Sequence, residues 1–194
     1  MRYHILTSPI LFLLLLSSSI ANPLSNDVPH GLQPLEKRAV PPLPTDVTFV
    51  NTVLARVNAY RALHSAPALT WDTTLAQSAK TAAARCSSSH TPSNPYGENI
   101  YSFYLTPKTT VPDFSLWLKK GIDWWYGEVR DYFSWADHSS QYHFTQLVWK
   151  STTKIGCSWS PNQCPTTNGD YYLFCKFQPK GNIAGQFGSN VLDA

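Results

Sequence analysis

Apolar side chains at Val50, Val53, Leu54, Val57 and Tyr60 recur at the spacing of one helix face, and Arg61 continues the pattern. Thr45-Asp46 offers an N-cap before this face, and Pro67 stops it. Pro41-Pro42 and Pro44 upstream make an extended lead-in. A second face follows Asp72 as N-cap and carries Leu75, Ala76, Ala79, Ala83 and Cys86. Its alanines would let another layer approach closely. Ser87-Ser88-Ser89 and the stretch from Pro92 to Pro95 read as loop, and Phe103 to Pro112 as an exposed aromatic loop. A third helix is predicted from Asp113 to about Phe133, although Gly121 and Gly127 each cost about 1 kcal/mol relative to Ala.

Strand patterns come later in the chain. Thr145-Gln146-Leu147-Val148-Trp149 reads as a strand, as does Lys154 to Trp159. The strongest strand pattern is Tyr171 to Phe177, bounded by Asn168-Gly169-Asp170 and by Pro179. Helices first and strands last predict an α+β fold in which helices cover an antiparallel sheet.

The amino terminus reads differently. Residues 1–21 carry Arg2 and His4, then the apolar run Ile10 to Leu16, then small residues at Ser19-Ile20-Ala21. That run is short for a membrane span and reads as a secretory signal peptide, a membrane anchor being the alternative. Residues 22–38 are polar, contain Pro23, Pro29 and Pro34, and end in Lys37-Arg38. A dibasic pair there resembles the site of furin-like processing proteases, so 22–38 reads as a propeptide, or otherwise as an uncleaved tail. The folded domain is expected over 39–194.

Composition narrows the class. The net charge of +3 is too small and too scattered for a nucleic-acid footprint, so no nucleic-acid partner is expected. The 4 cysteines, in an exported chain, point to two disulfides, and spacing alone leaves three pairings open. No Cys-x-x-Cys occurs to suggest structural zinc.

Candidate chemistry rests on Glu98 and Glu128, the only glutamates after position 38, and on His64, His90, His138 and His143. His-Glu-x-x-His, Gly-x-Ser-x-Gly and phosphate-cradling glycine loops are absent. His90 and Glu98 are separated by Pro92 and Pro95, so no helix face joins them, and Glu128 and His143 lie across a loop. Ser151-Thr152-Thr153 has no readable base, so no catalytic residue is assigned. His64 reads as a structural hydrogen-bonding group, His138 as a loop residue without a role, and Trp71, Trp149 and Trp159 as core.

Five stretches then stand in a familiar order. They are Asn58-Ala-Tyr-Arg61-Ala-Leu-His64 with Leu69-Thr70-Trp71-Asp72; Cys86 and His90 with Gly97-Glu98-Asn99-Ile100-Tyr101; Trp125-Tyr126-Gly127-Glu128; His143-Phe144-Thr145-Gln146-Leu147-Val148-Trp149-Lys150; and Tyr171 to Phe177 with Pro179-Lys180-Gly181-Asn182. Together they resemble the CAP superfamily of cysteine-rich secretory proteins, insect venom antigens and plant pathogenesis-related class-1 proteins, fungal members most of all. The resemblance implies a three-layer α-β-α sandwich around a central antiparallel sheet. It implies a cleft where His90, Glu98, Glu128 and His143 meet, able to hold a divalent cation, zinc or magnesium. It implies the pairing Cys86–Cys164 and Cys157–Cys175.

Fungal relatives export sterols and fatty acids, so the resemblance implies a secreted, extracellular lipid-binding protein that exports or sequesters such molecules. Its expected lipid contacts are Tyr101, Phe103, Tyr104, Phe114, Trp117 and Trp124. Host proteins or membranes are further implied partners, and a monomer is the default state. The alternatives are a secreted effector and, at lower weight, a metal-dependent protease using Glu98 or Glu128 as base; the expectation is a binding protein, not an enzyme.

Overall fold

The Asp46 carboxylate accepts from the backbone N–H groups of Thr48 and Phe49 and so opens helix α1, Val47–Leu63. Phe49, Val53, Val57 and Arg61 are its buried positions, on the face expected from their spacing. Asp72 caps α2, Thr73–Ala83, in the same way, by accepting from Leu75 N–H. These contacts belong to a computed structural model that describes residues 40–132 and 142–194, all within the compact unit Arg38–Ala194. The signal and propeptide segments, the expected helix end near Phe133 and His138 lie outside the described residues.

Between the two helices lies a short strand, β1, Thr70–Trp71. Further strands are β2, Gly97–Phe103, β3, Lys154–Trp159, and β4, Tyr171–Gln178, in the spatial order β1-β3-β4-β2. β4 is antiparallel to both neighbours, whereas β1 runs parallel to β3, so the expected antiparallel sheet carries one short parallel edge. Along β4, Tyr171, Leu173, Cys175 and Phe177 enter one core with α1, α3 and α4 residues. Tyr172 and Phe174 enter a second core with the alanines of α2. A strand buried on both faces thus separates two helical layers, which is the three-layer sandwich.

Three segments depart from the sequence reading. Helix α3, Phe114–Gly127, gives way at Glu128 to a 3-10 turn, Glu128–Asp131. Thr145 to Trp149 is not a strand, because residues Tyr142–Val148 form helix α4. Phe144, Leu147 and Val148 stand at helical spacing and are fully buried, and the Glu128 carboxylate accepts from the N–H groups of His143 and Phe144. A cap supplied from fifteen residues away decides the conformation. Phe103 is not in an exposed loop: it ends β2, pairs with Tyr171 and stacks on Trp117 at 4.3 Å. Trp149 and Trp159 are core as expected, and Trp71 is partly buried against Phe49.

Both disulfides join the expected partners, Cys86 to Cys164 and Cys157 to Cys175. The second links directly opposed residues of β3 and β4. Their sequence separations of 78 and 18 correspond, in the chain-entropy picture, to about 4.5 and about 3 kcal/mol.

Gly156 shows how closely α2 approaches the sheet. A Cβ there would stand 2.2 Å from Ala76 N and 2.6 Å from Asp72 O, backbone atoms that cannot turn away. Gly156→Ala is expected to lower stability by about 3 kcal/mol, at the upper end of overpacking effects, measured by urea unfolding. A loss within experimental error would mean that α2 can shift on the sheet.

Candidate functional site

Lys176 lies on the α2 side of β4, in register with Glu98 of β2, and its side chain is fully buried. Its Nζ donates to Glu98 Oε2 in a very short contact and to Thr91 Oγ1 at 2.9 Å. Thr91 gives Glu98 two more bonds, from its N–H at 3.0 Å and its hydroxyl at 2.6 Å. His90 Nδ1 meets Glu98 Oε1 at 2.7 Å, although the imidazole itself is largely exposed. Glu98 therefore accepts four hydrogen bonds, which fills its acceptor sites. Burial alone would raise its pKa; donation from His90, Lys176 and Thr91 outweighs burial and holds it at about 2. Burial lowers the pKa of Lys176, with the Glu98 charge opposing that shift.

The opposite wall repeats the motif with different support. Glu128, just past α3, receives the N–H groups of His143 and Phe144 at 3.0 Å through Oε2, and meets His143 Nδ1 at 2.7 Å through Oε1. Asn99 Nδ2 donates to the His143 carbonyl at 2.9 Å and ties this wall to β2. Trp124 lies 5.3 Å from the His143 ring and is 56% exposed. All four expected residues, His90, Glu98, Glu128 and His143, line one cavity of about 770 Å³, together with Tyr96 and Trp124. His90 and His143 also share a groove of about 450 Å³ with Tyr101 and Trp124.

A carboxylate against each Nδ1 makes that nitrogen the donor and leaves the lone pair of the neutral ring on Nε2. The carboxylates thus orient the imidazoles and are spent on that task. Among the described residues, no group of three or more His, Cys, Asp or Glu side chains is arranged to hold a metal ion. With both carboxylates so bonded, the lone pairs left to the four expected residues for a cation are chiefly those of the two imidazole Nε2 atoms.

The expected lipid contacts divide. Trp124 and Tyr104 are exposed, and Tyr101 and Trp117 are half-buried beside them. Phe103 and Phe114 instead lie in the main core, edge to face with Trp159 or tilted against it, and Phe114 also lines a separate cavity of about 310 Å³ with Phe49 and Leu118. His64 is structural as expected, with Nδ1 on the Leu192 carbonyl at 2.6 Å and Nε2 at the Tyr126 hydroxyl.

Two residues escaped the sequence reading of the site. Lys176 is a lone cation inside the apolar run Tyr171–Phe177, and that position was the available signal. Arg61, fully buried on the apolar face of α1, donates to the carbonyls of Pro67, Leu147, Trp149 and Thr152 at 2.8–3.0 Å. It faces no carboxylate in these bonds, and burial lowers its pKa to about 10. By gripping Leu147 and Trp149 it fixes the far end of α4, whose first turn carries His143.

Known proteins resemble this chain in sequence and in fold. The model of the cysteine-rich secretory protein family, CAP, matches residues 54–177. Secreted protein PRY1 of Candida albicans is 33% identical over 151 residues, covering 75% of this chain and 33% of that protein. Protein PRY2 of Saccharomyces cerevisiae is 35% identical over 150 residues, 74% of this chain and 41% of its own length. The chain thus spans between a third and a half of these fungal relatives. Cysteine-rich venom protein VAR3 of Varanus acanthurus is 31% identical over 160 residues, with 73% and 83% covered. Among solved structures, Na-ASP-1 aligns with a TM-score of 0.60 at 19% identity, covering 73% of this chain and 42% of that one. NaASP2 with Zn2+ aligns with a TM-score of 0.58 at 20% identity, covering 74% and 84%. These structural likenesses speak for the fold.

The buried pair gives a signed pH prediction. The folded pKa of Glu98, about 2, lies below the usual 4.5, so its contribution is present above pH 4.5 and lost as pH falls toward 2. The shift corresponds to about 3 kcal/mol. Glu98→Gln is expected to lose about 3–5 kcal/mol at neutral pH, because it strands a buried ammonium, and to flatten the acid limb of the stability profile. Urea unfolding of both proteins between pH 2 and 7 measures this; parallel profiles would show that Glu98 carries no such charge.

Proposed function

This chain belongs to the cysteine-rich secretory protein (CAP) family, and on that premise we propose that it is a secreted binding protein that carries sterols and related small hydrophobic molecules. Relatives named as secreted proteins support export. The observation that carries the reading is the large cavity whose two glutamates are internally bonded while Trp124 stands exposed at its edge. A space of several hundred Å³ suits a small organic ligand. Aromatic contact at Trp124, Tyr96 and Tyr101 supplies affinity at about 25 cal/mol per Å² of apolar surface removed from water.

The same wiring disfavours the protease reading. A general base must be free to take a proton near neutral pH. Glu98 is held at about 2 with its acceptor sites filled, and Glu128 is occupied by two amides and an imidazole. For a divalent cation, the residues that would hold it in this reading are His90 and His143 through Nε2, with Glu98 and Glu128 behind them. Two nitrogens suit zinc better than magnesium.

Two measurements test this. Titration with a fluorescent sterol should show binding that Trp124→Ala weakens about tenfold; sterol affinity unchanged in both Trp124→Ala and Tyr101→Ala would overturn the assigned contacts. Calorimetry should show zinc binding that His143→Ala removes and no comparable magnesium binding. Equal affinity for the two ions would overturn the two-imidazole site.

A further inference from the structure

Four of the large apolar side chains exposed among the described residues share one stretch of chain, the others standing at Val40, Leu43, Val47, Leu63 and Tyr142. Tyr104 at 53%, Val111 at 59%, Leu116 at 46% and Trp124 at 56% all fall between the end of β2 and the last turn of α3. Leu116, Lys120 and Trp124 stand four residues apart on α3 and form one outward stripe. Lys120, itself exposed, places its Nζ over the Trp117 ring at 4.4 Å from the ring centre. Lys119 is exposed beside it. The nearby carboxylates are engaged by partners: Asp113, itself exposed, accepts from Leu116 N–H as the cap of α3, and the part-exposed Asp123 is bonded to Arg56 and Tyr60, with Lys119 adding to its positive surroundings.

Aromatic and aliphatic side chains beside lysines on one helix face make the chemistry of an interfacial membrane contact: the rings enter the headgroup region and the ammonium groups meet anionic lipid. The stripe also ends at Trp124, which lines both the main cavity and the neighbouring groove. We propose that the outer face of α3 docks this protein on an anionic lipid bilayer and presents the cavity mouth to the membrane surface. The purpose assigned to the contact, collecting or delivering a lipid, rests on the carrier reading above; the contact itself does not.

Sedimentation with lipid vesicles tests it. The protein should bind vesicles of phosphatidylcholine with about one-fifth phosphatidylserine, bind pure phosphatidylcholine much less, and release as salt is raised. The double variant Lys119→Gln/Lys120→Gln should bind the anionic vesicles on the order of twentyfold more weakly, about fivefold for each lysine. Leu116→Ser should weaken binding several-fold through lost apolar contact. Absence of binding to the anionic vesicles, or equal binding by wild type and both variants, would overturn the proposal. Sterol titration without vesicles separates the two readings. Vesicle binding with no sterol uptake supports the docking face and strikes the carrier role; sterol uptake with no vesicle binding strikes the docking face alone.

Discussion

A lysine on the central strand, buried on both sides, has to find a carboxylate, and much of this molecule is arranged around that need. Lys176 sits where β4 has no solvent on either face, and an isolated ammonium there would cost several kcal/mol. Glu98 answers it from the neighbouring strand, in register. Once bound to Lys176, the carboxylate has room left for Thr91 and His90, so the loop after α2 is drawn onto the sheet edge. The Cys86–Cys164 bridge holds the start of that loop. One electrostatic requirement in the core thereby sets the position of a side chain that faces the cavity.

The second wall uses neutral dipoles for the same end. Arg61 keeps its charge in the core by bonding to four carbonyl oxygens, and two of them, on Leu147 and Trp149, belong to the end of α4 and the residue after it. Glu128 holds the other end by accepting the first amides of that helix. A helix of 7 residues is too short to stand alone in water, so its existence depends on these two anchors and on Phe144 and Leu147 in the core. His143 inherits its position from that clamp.

The two His–Glu pairs therefore look alike and differ in origin. One carboxylate is neutralised by a buried cation, the other by helix-terminal amides; in each, the carboxylate fixes the imidazole and loses its own freedom to react. A cavity built this way has two imidazoles fixed in its walls and Trp124, on the outer face of α3, at its edge. That combination favours holding a ligand over transforming one.

Local rules were enough for α1, α2, β3 and β4, because caps at Asp46 and Asp72 and runs of buried side chains act within a few residues. Motif order was enough to name the residues of the cavity and the cysteine pairs. Sequence misassigned α4, whose cap comes from Glu128, and put Phe103 in an exposed loop when its partners, Tyr171, Trp117 and Trp159, make it core. Nor could it tell that Glu98 is saturated, since that depends on a strand register bringing Lys176 across from position 98. Helix caps and alternating strands are written in neighbouring residues; the state of a charge is set by whatever the fold brings beside it, and only tertiary contact decides that.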